Sequence, residues 1–166
     1  MFGEQQIMLA NKIAEIKEKS IVWHLDATGS LVRKISSAPV YLYALVVPVP
    51  IIGEPCLPLL EWLSDAHDAS TLSSTLLAWW TKVRSFIIPA NTIVLDFSWA
   101  LMHTVALVFN SMTLDKQLNL QWSFMNGSFI PPGFICIRLC AAHLIKAISN
   151  RLKKLNIKKE VNISVI

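Results

Sequence analysis

Two aspartates stand where a strongly apolar run gives out. Residues 21–25 (Ile-Val-Trp-His-Leu) lead into Asp26, and residues 92–95 (Thr-Ile-Val-Leu) lead into Asp96. Each is followed within two positions by a small or hydroxyl residue, Ala27-Thr28 in one case and Ser98 in the other. A charge at the end of a buried strand is costly unless it is paired or coordinates something. On neighbouring parallel strands the two carboxylates would lie about 5 Å apart at one sheet edge. They would repel unless a cation sat between them. Hard oxygen donors with open positions suit Mg²⁺ or Mn²⁺. Two such ions, about 3.5–4 Å apart, can activate an attacking oxygen and stabilise a leaving one in phosphodiester chemistry. The competing reading of either aspartate is an Asx-turn closing a strand, with Thr28-Gly29-Ser30 bending the chain away.

A second constellation is Cys140-Ala141-Ala142-His143. Its i,i+3 spacing puts both side chains on one helix face. A zinc site there needs two more soft or nitrogen donors, and Cys136 is one candidate. Without them the pair reads as a buried thiol and a helix-capping histidine. Lys146, Arg151, Lys153 and Lys154 follow on the same helix and could meet DNA phosphates, with no base-reading element in view. His24 shares a strand face with Asp26 and reads as a satisfied core histidine. His67 reads as a cap or turn residue, and His103 and Cys56 as core.

The elements that must position these residues follow from periodicity. Residues 5–19 are helical in period, with Ile7, Met8, Ile13 and Ile16 as a partial apolar stripe. Strands are expected at 21–26, 40–49, 56–63, 92–95 and 134–139. Helices are expected at 71–86 behind Asp68 or Ser70, at 99–110, at 114–125 and at 141–155. Polar connections lie around Arg33-Lys34 and at 50–55 with Gly53. The first three strands are joined closely enough for an antiparallel meander, and the helix after the fourth implies a parallel crossover. Three stretches result: an N-terminal helix in 1–19, a main domain in 20–155 and a tail in 156–166.

Composition narrows the class. The chain has 166 residues, 54% of them apolar, enough for one domain with a real core. From Arg138 onward seven Lys or Arg face one acid, Glu160, so that end carries +6 of a net +4 and the rest about −2. A basic C-terminal helix on a nearly neutral body suits a polyanion, or is simply a solvated face. Three cysteines and no basic-then-apolar leader imply free thiols in a nuclear or otherwise intracellular protein that is not secreted. Residues 97–114 are apolar enough to raise a membrane reading, but Asn110, Ser111 and Thr113 crowd one end and Asp96 and Asp115 bracket the stretch.

In this order the motifs resemble those of Mutator-like transposases, DDE recombinases with an RNase H-like fold. Asp26-Ala27-Thr28 looks like their first-aspartate motif. Ile93-Val94-Leu95-Asp96-Phe97-Ser98-Trp99-Ala100 looks like the second, and Cys140-Ala141-Ala142-His143 is similar to the Cys-x-x-His signature that follows it. The likeness extends through residues 57–80 and covers most of 21–154. It implies an α/β fold: a mixed five-stranded sheet of order 3-2-1-4-5 with flanking helices, incomplete at the C-terminus. It implies DNA strand cleavage and transfer, with Asp26 and Asp96 as catalytic metal ligands for Mg²⁺ or Mn²⁺. DNA is the implied partner, self-association is kept as a further one, and no membrane is expected. The family's glutamate lies on a helix well beyond Cys-x-x-His. Here Glu160 is the only acid after His143, behind a Lys pair and too near the motif. The expectation is a fragment or domesticated copy truncated before that glutamate and inactive alone. The alternatives are a non-catalytic DNA- or protein-binding module of the same fold, and a membrane protein.

Overall fold

The computed structural model describes residues 3–17, 21–29, 39–50 and 55–154, the side chains of Lys17 and Lys154 excepted. The expectations for Ser30, Arg33, Lys34, Gly53, Glu160 and the tail 156–166 fall outside the described residues. The elements run α1 (Glu4–Lys17), β1 (Val22–Gly29), β2 (Tyr41–Val47), β3 (Leu57–Ser64), α2 (Ala69–Val83), β4 (Thr92–Leu95), α3 (Trp99–Asn110), α4 (Leu114–Met125), β5 (Cys136–Leu139) and α5 (Ala141–Lys154). The chain is α/β, with one five-stranded mixed sheet in the order β3-β2-β1-β4-β5. β1 pairs antiparallel with β2, and β2 with β3. β1 and β4 are parallel, as are β4 and β5.

Alternation in β1 sends Trp23 and Leu25 into the core, and their partners Ile93 and Leu95 follow on β4. Helix α2 presents Leu72, Leu76, Trp79 and Val83 to the core, and α3 presents Leu101, Val105 and Val108. Trp23 meets Trp79, Trp80 and Phe109 edge-on, with ring centroids 6.1–6.2 Å apart. The apolar stretch 97–114 holds one helix of 12 residues, α3, and ends where α4 begins. Ser98 caps α3 by accepting from the Leu101 N–H, Ser111 closes it with a left-handed φ of 53°, and Thr113 caps α4. Among the described residues no helix is long and apolar enough to cross a membrane.

Several local expectations need correction. β1 does not turn at Asp26 but runs on to Gly29, because β2 still pairs with it there, Asp26 opposite Ala44 and Gly29 opposite Tyr41. On α1 the buried stripe is Ala10, Ile13 and Ala14, whereas Met8 and Ile16 are exposed. Cys56 is exposed, one residue ahead of β3. His103 is exposed too, between the buried Met102 and Thr104 of α3.

Candidate metal centre

The site is set by where parallel pairing stops. The β1–β4 ladder ends at Leu25 opposite Leu95. Asp26 is the next residue of β1 and Asp96 the first residue beyond β4, so they follow adjacent positions on neighbouring strands about 4.8 Å apart. Since Leu25 points into the core, the alternation along β1 turns the Asp26 carboxylate to the other face, and Asp96, just past β4, brings its own carboxylate beside it. β5 then delivers the third member. Its register with β4 ends at Leu139 opposite Leu95, the Cys140 N–H donates to the Leu95 carbonyl at 2.8 Å, and α5 starts at once. That short junction holds the first turn of α5 over the end of β4. His143 therefore reaches Asp96.

One ligand atom each from Asp26, Asp96 and His143 lies within 4.8 Å of the others, and this is the only group of three potential donors among the described residues. Asp96 Oδ1 and His143 Nδ1 are buried and stand in direct contact as a carboxylate–histidine pair, neither making a hydrogen bond elsewhere. Asp26 is exposed, and its Oδ1 accepts from the Ala27 N–H at 2.8 Å. Burial, followed by the neighbouring Asp26 charge, holds the Asp96 carboxyl above the usual carboxylate range. A hydrogen bond with Asp26 acts in the same direction, while the charges of His143 and Lys146 oppose it. Two acids pressed together are the feature a bound cation would relieve, and the Asp96–His143 contact would open to admit it. Two oxygens and a nitrogen suit one divalent ion, Mn²⁺ at least as well as Mg²⁺ given the imidazole.

Cys140 is not in this donor group. It is half-buried at the junction before α5, its carbonyl accepting from the Leu144 N–H at 3.0 Å. The two halves of Cys-x-x-His thus part, His143 going to the acids and Cys140 to the strand–helix joint. Lys146, Arg151 and Lys153 are exposed along α5; Lys154 ends the helix.

A polar chain supports the Asp96 loop and has little sequence signal. The Tyr43 hydroxyl lies 2.6 Å from His67 Nδ1, and His67 Nε2 lies 3.1 Å from Ser98 Oγ. The Ser98 N–H donates to the Asp96 carbonyl at 2.7 Å. The imidazole lies against the rings of Tyr41 and Tyr43, at centroid distances of 5.2 and 5.9 Å. His67 is thus more than a turn residue, since it ties the loop after β4 to the core strand β2. Only its place beside the N-cap Asp68 could have suggested that.

Set against protein-family models, curated proteins and solved structures, the chain matches none.

Proposed function

We propose that this chain is an RNase H-like core derived from a Mutator-like DDE transposase, in which Asp26, Asp96 and His143 hold one divalent cation that serves phosphodiester chemistry on DNA. The observation that carries the reading is the meeting of two carboxylates and an imidazole within 4.8 Å at the end of a parallel strand pair. The strand order β3-β2-β1-β4-β5 is the one the resemblance implies. When bound, the ion supplies charge stabilisation at a phosphodiester and lowers the pKa of an attacking water. The chain's own residues orient and neutralise. Asp26 and Asp96 offer oxygens from just beyond the end of the β1–β4 ladder, His143 offers Nδ1 from the first turn of α5, and Lys146 adds positive charge near Asp96. With one imidazole and two carboxylates the centre suits a single ion. Strand cleavage by the isolated chain is therefore expected to be weak or absent.

Calorimetric titration with Mn²⁺ tests this. One ion should bind, and Asp26→Asn or Asp96→Asn should abolish the heat; a native chain that gives none removes the metal reading. A second reading, a DNA-binding module without chemistry, is favoured by α5 alone, which carries exposed cations and no acidic residue. It requires DNA affinity that falls steeply with salt and does not change with Mn²⁺.

A further inference from the structure

Beside the metal centre the surface folds into an open groove of about 390 Å³, lined by Phe97, Leu144, Ala147, Ile148, Asn150 and Arg151. Its walls begin next to the site itself: Phe97 directly follows Asp96, and Leu144 directly follows His143. From there it runs along α5 to Arg151, about 10 Å at helical rise. Phe97 is 54% exposed, and the ring of Trp99, also exposed, stands 6.2 Å away. The floor is aliphatic and the far end carries a guanidinium and a carboxamide. The whole of α5 contains no acidic residue.

We infer that this groove binds one nucleoside unit of a single DNA strand, its base stacked on Phe97 and its backbone phosphate met by Arg151, so that the adjoining phosphodiester lies toward Asp96 and His143. The assignment rests on the phosphodiester reading proposed above. An aromatic face accepts any base, and an arginine beside it supplies phosphate affinity without reading sequence. Asn150 offers a donor and an acceptor to a base edge. The competing occupant of a basic amphipathic helix is a lipid surface. A lipid surface would engage exposed Ile145 and Leu152 of α5, which lie outside the groove, as well as Leu144 and Ile148 within it, and the vesicle arm of the test separates the two occupants. An apolar partner segment would leave the cations on α5 without counter-charges.

Fluorescence anisotropy of a labelled oligothymidylate, measured with chelator present, tests the groove apart from the metal. Phe97→Ala should weaken binding about ten-fold, within the range found for losing one stacked base, and Phe97→Trp should restore it. An oligomer of abasic sugar-phosphate should bind the native chain and Phe97→Ala alike. Arg151→Ala should weaken both probes and lower the salt slope by about one. Equal affinity of native chain and Phe97→Ala for oligothymidylate overturns the inference. So does Phe97-dependent binding to phosphatidylserine vesicles with no binding to the oligomer. Phe97-dependent oligomer binding in a chain that takes up no Mn²⁺ keeps the groove and removes the metal centre. Mn²⁺ uptake with no Phe97 effect does the reverse.

Discussion

The Nδ1 atom of His143, in the first turn of α5, meets Oδ1 of Asp96, the residue after β4. An imidazole as third donor tilts the site away from Mg²⁺, which prefers oxygens and near-ideal octahedral geometry, toward Mn²⁺ or another ion that accepts nitrogen. His143→Ala should lower Mn²⁺ affinity by at least the roughly 10–100-fold that loss of an outer-shell partner costs. His143→Glu should narrow the preference for Mn²⁺ over Mg²⁺ by making the donor set all oxygen. Calorimetry with both ions checks each outcome, and an unchanged Mn²⁺ affinity in His143→Ala would remove His143 from the centre.

The raised carboxyl of Asp96 sets a pH dependence. Between its ordinary value of 3.8 and its raised folded value, the folded chain binds more protons than the unfolded one. Stability from this group is therefore full below the ordinary value and is lost as pH rises through the folded one. Above the folded value and without metal, ionised Asp96 works against folding. Asp96→Asn should then raise Tm in chelator at pH 7, and the gain should shrink toward pH 4. Mn²⁺ should raise the Tm of the native chain and leave that of the variant unchanged. Thermal melts across pH, with and without the ion, measure both effects.

The residues alone show that each acid closes an apolar run. Parallel pairing of their two strands is a further condition for the carboxylates to meet, and only the strand order implied by the resemblance supplied it. β4, α3 and α4 lie where residue pattern places them, since Ser98 and Thr113 are side chains that cap helices. The length of β1 was not legible. Thr28 and Gly29 carry turn chemistry, yet β2 continues beside them and its ladder outweighs local preference. Nor was the parting of Cys140 from His143, which depends on how sharply α5 leaves β5. Cys56 and His103 show the same limit: apolar neighbours in sequence do not say which way a single side chain turns.

The chain from Tyr43 through His67 to Ser98 predicts an unusual tyrosine. Burial, aided by the charges of Tyr41 and Asp68, pushes the Tyr43 phenol up to about 12. The chain has two tyrosines, so Tyr41→Phe leaves Tyr43 alone for ultraviolet titration. Its midpoint should stay above the free-phenol value of about 10. Tyr43→Phe should cost about 0.5–1.5 kcal/mol, because exposed His67 can turn to water for its lost partner. It should also loosen the loop after β4, seen as weaker Mn²⁺ binding with the ligands intact.

The outer edge of β5 is closed by amide side chains in place of a sixth strand. Asn110 Oδ1 accepts from the Ile135 N–H at 2.9 Å, and its Nδ2 donates to the Ile135 carbonyl at 2.8 Å. Gln121 does the same for Ile137, at 2.7 and 2.9 Å. Between them Gln117, fully buried, accepts from Asn110 and donates to Gln121 and to the Ile135 carbonyl, at 2.7, 2.7 and 3.0 Å. Every amide hydrogen of Gln117 and Asn110 is used, so the network is complete and intolerant of a missing member. Gln117→Leu keeps the bulk but leaves one Asn110 amide hydrogen unpaired and takes one of the two donors from Gln121 Oε1, at a cost of about 1–3 kcal/mol. Since β5 leads directly into α5, the damage should reach His143. The variant should melt earlier and, at neutral pH, bind Mn²⁺ more weakly, whereas Gln117→Glu at a pH low enough to protonate it should recover part of the lost Tm. A Gln117→Leu chain with native Tm would show that the edge is held by something other than these amides.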